Sequence, residues 1–207
     1  MCRSKYMSKI GIMGGTFNPI HMAHLILAES AYEQLHLDKV LIMPSKKPPH
    51  KLHDQIASDH HRIEMVKLAI EGNTHFELST MELERDGITY TAETLQQLTK
   101  EYPENEYYFI LGLDSLQQIE KWRSPNIIFQ LAHIVAAGRY HFPKDKIEGQ
   151  VHHLEEIYQG KIHLLEIPNI DLSSEMLREH VKTGRSIRYY VPCSVDQYIR
   201  EHGLYKG

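Results

Sequence analysis

The sequence predicts an α/β fold with a doubly wound, mostly parallel sheet and a small helical part at the C-terminal end. Two observations lead to this prediction. Apolar runs of strand length recur along the chain, and segments with helical spacing fill the intervals between them. Several of the runs are continuous rather than alternating, as expected of strands that are buried on both faces of a parallel sheet.

Six apolar runs have the length and composition of strands. They are Lys9–Met13, Val40–Met43, His75–Leu78, Tyr107–Leu111, Ala132–Ala137 and Lys161–Ile167. Between strands of this kind a parallel sheet needs crossovers, which are almost always right-handed. Ligands of such sheets bind beyond the carboxyl ends of the strands. The loops at Gly14–His24, Pro44–Lys51, Gly112–Asp114 and Gly138–His141 are therefore the places where a site is expected.

Helical spacing is clearest after the first two predicted strands. Leu25, Ala28, Tyr32 and Leu35 recur on one helix face, and Ile63, Val66 and Ile70 do the same in a second helix. Further helices are predicted at Thr91–Thr99, Leu113–Ile119, Met176–Val181 and Val195–Ile199. The segment Tyr140–Tyr158 is compatible with a helix, an insertion or a dimer contact.

Length and composition indicate one globular domain. The chain has 207 residues, of which 42% are apolar, and we expect a short leading segment (1–8) followed by one domain (9–207). A formal net charge of −4 argues against a nucleic-acid-coating protein. Cys2 and Cys193 form no disulfide framework, and no apolar run is long enough to span a bilayer, so a cytoplasmic protein is predicted.

The loop after the first strand combines two glycines with two histidines. Gly14 and Gly15 allow a tight turn and a close approach to a ligand. Backbone N–H groups there, with the positive end of the next helix, form an anion site. His21 and His24 are three residues apart, so both rings can lie on one side of that helix and suit phosphate. A simple turn is the alternative, whereas a metal site lacks a third ligand of matching spacing.

The whole segment Gly14–His24, with the sequence GGTFNPIHMAH, is more specific than its parts. It resembles the G-[GS]-[TS]-F-[DN]-P-x-H-x-G-H signature of the nucleotidylyltransferase superfamily. Its opening is similar to that of the bacterial nicotinate mononucleotide adenylyltransferases. The resemblance implies a Rossmann-like nucleotidylyltransferase fold, in which His21 and His24 contact ATP phosphates and stabilise the transition state. Ala23 departs from the usual Gly. The residues implied in ATP binding are Gly14, Gly15, Thr16, Phe17, His21 and His24.

A second motif follows the last predicted strand. Ser173 and Ser174 precede an apolar helical run, and Arg178 projects from the same face as Ser174. A serine here is a common helix N-cap, but hydroxyls, free N–H groups and a guanidinium also form a phosphate clamp. The segment resembles the I-S-S-T-x-x-R motif of the same superfamily, with Glu175 in place of Thr. This implies that all three residues bind ATP and that Arg178 acts catalytically on the leaving pyrophosphate.

The acceptor side is predicted from two further regions. The basic loop after the second strand resembles the P-P-H-K element of the family, which implies that His50 and Lys51 approach the acceptor mononucleotide. Arg139, just past the fifth predicted strand, is a second candidate for the acceptor phosphate. Both predictions place positive charge at the carboxyl ends of strands.

The segment from Gly112 to Trp122 is similar to the acceptor pocket of the family. A lone tryptophan is more often core or surface filler, but the resemblance implies that Trp122 stacks on the nicotinate ring. Thr91 would contact the pyridine carboxylate through its backbone. Gly112 and Asp114 are placed with the ATP-binding residues, and Asp114 would orient sugar hydroxyls or a metal-bound water.

The resemblance, which runs from about Lys9 to the end, implies transfer of AMP from ATP to nicotinate mononucleotide with release of pyrophosphate. Mg²⁺ is expected to be carried with ATP, with no metal site formed by the protein. Alternatives are an adenylyltransferase acting on nicotinamide mononucleotide or phosphopantetheine, or a non-catalytic nucleotide-binding homologue, which Ala23 and Glu175 keep open. ATP and the mononucleotide are the expected partners; no nucleic acid or membrane partner is expected, and a homodimer is an option.

Overall fold

A computed structural model describes residues 7–46, 56–137 and 144–206 of the chain. Within these ranges six strands form one sheet in the order β3-β2-β1-β4-β5-β6, and every neighbouring pair is parallel. The strands are β1 (Lys9–Gly15), β2 (Lys39–Pro44), β3 (Phe76–Leu78), β4 (Glu106–Gly112), β5 (His133–Ala137) and β6 (Ile162–Leu164). This is the strand order of the doubly wound dinucleotide-binding fold.

Helices cover both faces of the sheet, as the sequence predicts. The α-helices are α1 (Met22–Leu35), α2 (Asp59–Ile70), α3 (Met81–Glu84), α4 (Thr91–Glu101), α5 (Leu113–Leu116), α6 (Pro125–Leu131), α7 (Lys144–Tyr158), α8 (Ser174–Lys182) and α9 (Cys193–Glu201), and a 3₁₀ turn spans Ile119–Lys121. In the described ranges no helix is both long and apolar enough to cross a membrane. The helices α8 and α9 form the C-terminal helical part.

Two apolar clusters, one on each face, hold the layers together. Successive residues of β1 point to opposite faces, so Met13 belongs to the cluster beneath α1 and α9, whereas Ile12 belongs to the cluster beneath α4 and α6. Ile42 and Met43 alternate in the same way on β2, and all four side chains are almost fully buried. Burial on both faces explains why these strands have continuous apolar sequences.

Two predicted elements are clearly shorter in the structure than in the sequence prediction, and the sequence pattern predicts neither α3 nor α6. The strand predicted at Lys161–Ile167 is ordered as a strand only at Ile162–Leu164, because its partner β5 ends and the backbone of Glu166 pairs with the side chain of Gln34 instead. The helix predicted at Leu113–Ile119 stops at Leu116 and continues as a 3₁₀ turn. The segment left open at Tyr140–Tyr158 contains α7.

The switch point of the sheet lies between β1 and β4. From there the connections run outward in opposite directions, so the loops after these two strands diverge and leave a crevice. Gly14 and Gly15 end β1, and Gly112 ends β4. The fold therefore brings the first predicted loop and the Gly112–Asp114 loop to one crevice.

Candidate active site

The first loop leads into α1 through a pair of stacked imidazoles. His21 is the residue before α1, and its backbone N–H donates to Nδ1 of His24 over 3.3 Å. The two rings are stacked with centroids 3.7 Å apart. Because Nδ1 of His24 accepts a hydrogen bond, a neutral His24 ring carries its proton on Nε2 and can donate from that side. The pair therefore presents hydrogen-bond donors at the positive end of α1.

Phe17 packs the first loop against the apolar core. Its ring is 1% exposed, meets the His24 ring edge-on with centroids 5.1 Å apart, and sits in the apolar cluster. A Cβ atom on Gly15 would lie 2.9 Å from the Phe17 ring, so this position has no room for a side chain. The ring of Phe17 thus packs the loop, and only its backbone is available to a nucleotide.

The start of α8 is tied directly to the first loop. Oγ of Ser174 donates to the carbonyl of Pro19 over 2.9 Å, and Nη1 of Arg178 donates to the carbonyl of Asn18 over 3.0 Å. Oγ of Ser173 accepts the N–H of Met176 and caps the helix. Two motifs that lie about 150 residues apart in the sequence are therefore in contact, and the serines serve both packing and capping.

A cavity of about 370 Å³ lies between α1, the end of β4 and the start of α8. Both histidines and both serines line it, together with Gly112, Asp114 and Glu175, so it gathers the polar groups of both motifs. Its remaining wall is apolar and consists of Ala23, Leu27, Leu113, Ala137, Ile167, Pro168, Ile170 and Leu172. We call it the histidine cavity.

Arg178 faces another way. It lines a separate cavity of about 730 Å³, together with Ser173, Glu175 and Lys182. Its guanidinium donates to the Asn18 carbonyl in the first loop. The structure thus brings Arg178 to the same loop as His24 but does not place it in the same cavity.

A cavity of about 470 Å³ lies on the other side of the loop and is called the tryptophan cavity. It is more apolar than the histidine cavity. Its lining contains the predicted acceptor residues Thr91 and Trp122, together with Gly14, Gly15 and Thr16 from the first loop. Edge-on contact with Phe109, with ring centroids 6.1 Å apart, orients the indole. The remaining lining residues are Ile12, Met43, Ser45, Glu82, Thr89, Tyr90, Thr94, Leu95, Phe109, Ser115, Lys121, Arg123 and Ile128.

Buried polar groups in the tryptophan cavity were missed by the sequence reasoning. Oγ1 of Thr94 donates to Glu82 over 2.7 Å and accepts from Arg85, whose backbone carbonyl accepts from Lys46. Glu82 and Arg85 are three residues apart in a short charged segment, which in sequence is typical of a solvated helix face. The burial of Glu82 and the partial burial of Arg85 depend on contacts with α4 that no local pattern reveals.

Two hydroxyls at the same cavity are buried without a partner among the described residues. They belong to Ser45 and Thr89, of which Thr89 is 6% exposed. A buried hydroxyl without a hydrogen bond is costly. Both are therefore suited to receive a polar group of a ligand.

A buried arginine was also missed. Arg62 on α2 is 0% exposed, and its Nη1 donates to the carbonyls of Thr16 and Ser45 over 2.8 and 2.7 Å. Within the predicted helix its neighbours Ile63 and Val66 carry the apolar pattern, so an intervening arginine is naturally assigned to solvent. Nothing in the local sequence pattern predicts its burial.

The C-terminal segment reaches the first loop as well. The hydroxyl of Tyr205 donates to Oδ1 of Asn18 over 2.8 Å, and the N–H of Ala57 donates to the same oxygen over 3.0 Å. Burial raises the pKa of the Tyr205 hydroxyl well above its usual value, although Arg178 and Arg62 act to lower it. The hydroxyl therefore stays protonated and acts as a donor.

Three predicted acceptor residues, His50, Lys51 and Arg139, lie outside the described residues. In the described part of the chain, no group of three or more His, Cys, Asp or Glu side chains could hold a metal ion. The two cavities thus combine imidazole, hydroxyl and aromatic groups with separate charged side chains, among them Asp114, Glu175 and Glu82.

Fold and site together define a class. A parallel sheet of this strand order, with glycines and stacked imidazoles at its switch point and a cavity on each side, is a nucleotide-binding α/β protein whose site suits phosphate groups.

Comparison with known proteins identifies the family. The family described as cytidylyltransferase-like matches residues 12–180. A curated relative from Lachnoclostridium phytofermentans, named "Probable nicotinate-nucleotide adenylyltransferase", is 52% identical over 96% of this chain and 100% of its own length. A second relative with the same name, from Desulfitobacterium hafniense strain DSM 10664 / DCB-2, is 40% identical over 96% of each chain. The chain therefore belongs to the cytidylyltransferase-like family and, within it, to the nicotinate-nucleotide adenylyltransferases.

Solved structures agree with the fold. The Plasmodium falciparum nicotinic acid mononucleotide adenylyltransferase complexed with APC is 21% identical and superposes with a TM-score of 0.77 over 96% of this chain and 97% of that chain. The same enzyme complexed with NaAD gives a TM-score of 0.78 with the same coverage. At this identity the likeness concerns the fold, and it confirms the predicted Rossmann-like nucleotidylyltransferase architecture.

Proposed function

We propose that the chain transfers AMP from ATP to nicotinate mononucleotide, giving nicotinate adenine dinucleotide and pyrophosphate in the biosynthesis of NAD. The observation that supports this assignment best is that a single loop lines two cavities, of which one is largely apolar and the other contains imidazoles and hydroxyls. Gly15 and Thr16 face the tryptophan cavity, and His21 and His24 face the histidine cavity. Two substrates bound on either side of this loop have their phosphates next to the same N–H groups.

The chemistry requires little of the protein beyond positioning. A phosphate monoester with a second pKa of about 6 is largely ionised near pH 7, so its oxygen can attack the α-phosphorus of ATP without a general base. The new P–O bond forms as the bond to pyrophosphate breaks. Charge develops on the phosphoryl oxygens, and preorganised donors stabilise it.

We assign the donors to His21, His24 and the N–H groups of the first loop, which also contributes Gly14 and Gly15. Ser173, Ser174 and Gly112 complete the ATP side, with Asp114 at the sugar. Arg178 is proposed to act on the pyrophosphate, a role that requires ATP to extend past the first turn of α8. On the acceptor side, Trp122 stacks on the ring and Thr91 provides its backbone; His50, Lys51 and Arg139 remain predicted phosphate ligands.

Mg²⁺ is proposed as the ion that enters with ATP, where it would neutralise phosphate charge. Asp114 and Glu175 are the carboxylates that line the histidine cavity, and both are exposed. They suit contact with a metal-bound water rather than a dehydrated metal cage. A cytoplasmic location, a homodimer and the division into residues 1–8 and 9–207 stay predictions.

The test is a substrate panel. The purified protein is mixed with ATP and Mg²⁺ and with one of three acceptors: nicotinate mononucleotide, nicotinamide mononucleotide or phosphopantetheine. Dinucleotide is measured by chromatography and pyrophosphate by a coupled assay. We expect equal amounts of both products, with nicotinate mononucleotide the preferred acceptor by kcat/KM. Binding of ATP with no release of pyrophosphate in the presence of any of the three acceptors would instead indicate a nucleotide-binding homologue without catalysis.

A further inference from the structure

The buried guanidinium of Arg62 occupies the place where the pairing between β1 and β2 ends. Gly15 and Pro44 are the last paired residues of these strands, and the N–H of Ser45 still donates to the Gly15 carbonyl over 2.9 Å. One residue farther along each strand, the carbonyls of Thr16 and Ser45 both accept from Nη1 of Arg62. The arginine thus continues the link between the two strands beyond the end of their ladder.

This link fixes the direction of two peptide groups. In a trans peptide the carbonyl and the following N–H point in opposite directions. With the Thr16 and Ser45 carbonyls turned toward Arg62, the N–H groups of Phe17 and Lys46 point away from it. Carbonyl oxygens turned the other way would repel a phosphate. Arg62 therefore holds the loop in the orientation that an anionic ligand requires.

The two bridged residues belong to one side of the site. Thr16 and Ser45 both line the tryptophan cavity, and neither lines the histidine cavity. An error in their orientation should therefore affect the acceptor more than ATP.

Arginine is suited to this position because its fork presents several donors in a fixed plane. Nη1 serves the two carbonyls while Nη2 donates to Oδ1 of Asp59 over 2.6 Å. The Asp59 side chain is 47% exposed, so the ion pair connects a fully buried cation to a carboxylate at the surface. A lysine would keep the charge but not this planar arrangement.

We propose that Arg62 is a positioning residue for the acceptor, one that acts through the Thr16 and Ser45 carbonyls without touching either substrate. The inference deepens the proposed function and rests on it.

The experiment compares Arg62→Lys and Asp59→Asn with the wild type. Arg200→Met is the matched control, because Arg200 also pairs with an aspartate on its own helix but lies on α9, away from both cavities. Three quantities are measured: thermal unfolding, KM and kcat with each substrate varied, and the affinity for α,β-methylene-ATP by calorimetry. Trp122 is the only tryptophan of the chain, so quenching of its fluorescence by nicotinate mononucleotide reports acceptor binding without turnover.

For folded Arg62→Lys we expect at least a tenfold rise in the acceptor KM and in the acceptor Kd from fluorescence, and at least a tenfold fall in kcat. The affinity for the ATP analogue should stay within threefold. Asp59→Asn should show the same pattern at two- to fivefold, and Arg200→Met should behave as the wild type. If Arg62→Lys does not fold, the Asp59→Asn pattern decides the question.

Unchanged kinetics in the folded variants would overturn the proposal. So would a fall in unfolding temperature with normal constants for the folded fraction, or equal losses for both substrates, because either shows only a structural role. The proposed function fails differently: the wild type would bind both ligands without forming dinucleotide, and the fluorescence comparison of the variants would still test Arg62.

Discussion

The two cavities on either side of the first loop differ in the surface that they offer. The tryptophan cavity is largely apolar, with an oriented indole and buried hydroxyls, and it suits a flat ring with few polar substituents. The histidine cavity places two imidazoles and two serines next to an apolar wall, and it suits charged phosphates. Under the proposed function one cavity would select the acceptor by shape and the other would stabilise phosphate charge, so substitutions in the two should affect different kinetic constants.

The largest effect is expected from His24→Ala. Removing the Nε2 donor takes away transition-state stabilisation, and loss of one such donor costs roughly 10²- to 10³-fold in kcat. The acceptor KM should change little. Steady-state kinetics with each substrate varied measures both, and His152→Ala, at an exposed position on α7, is the control. Near-normal turnover of His24→Ala would remove the distinction between the two cavities.

The next largest effect is expected in the tryptophan cavity, from replacement of Trp122. Trp122→Ala should raise the acceptor KM about tenfold, equivalent to about 1.4 kcal/mol of binding, because a stacked ring pair and its burial are lost. The ATP KM and the unfolding temperature should change little, since the indole is partly exposed. An unchanged acceptor KM would mean that the ring lies elsewhere.

The comparison also shows what the sequence could predict. The strands, the crevice and the histidine pair follow from continuous apolar runs, a glycine pair and the spacing of two residues, all of which are local patterns. Arg62 and the Glu82–Thr94–Arg85 network could not be predicted, because their burial depends on backbone carbonyls and side chains from other elements. A charged side chain within a helical pattern is normally solvated, and only the assembled fold shows otherwise.

The placement of Arg178 provides a similar lesson. Its spacing from Ser174 correctly indicates a shared helix face, and both side chains contact the first loop. Spacing along one helix does not determine which cavity a long side chain enters. The assignment of Arg178 to pyrophosphate therefore stays a prediction.

A smaller effect is expected from Tyr205, whose hydroxyl bonds to Asn18 in the loop between the two cavities. Tyr205→Phe removes the hydrogen bond to Asn18 and should lower the free energy of unfolding by about 1 kcal/mol. Oδ1 of Asn18 still accepts a hydrogen bond from the N–H of Ala57, so the loop should stay folded. Denaturant unfolding measures the change, and Tyr102→Phe, at an exposed tyrosine, is the control. A loss no larger than that of the control would show that Tyr205 does not support the loop.

The smallest effect is expected far from both cavities, at the amino ends of β4 and β5. Nδ1 of His133 lies 3.1 Å from Nε2 of His163, and Nε2 of His133 pairs with the carboxylate of Glu106. Burial lowers the pKa of both histidines below 6.5; Glu106 acts to raise the pKa of His133, and the repulsion from His133 further lowers that of His163. The unfolded chain then binds more protons than the folded chain as the pH falls through 6.5, so stability should decrease with acid.

Unfolding temperature measured between pH 7.5 and 5.5 tests this prediction. His163→Asn should make the decrease shallower, whereas His152→Asn at the exposed position should leave it unchanged. An identical pH dependence in His163→Asn and the wild type would contradict the assignment. ATP and acceptor affinities at pH 7.5 should be normal in both variants.

The hydrogen bond between Asn18 and Tyr205 joins residues that lie 187 positions apart in the sequence. During synthesis the first loop leaves the ribosome long before Tyr205 does, and α9, which packs against α2, also emerges late. The loop that would receive ATP therefore gains this support only after the segment that contains Tyr205 has emerged from the exit tunnel. The order of translation thus delays the final fixing of the nucleotide loop until well after the loop itself has been made.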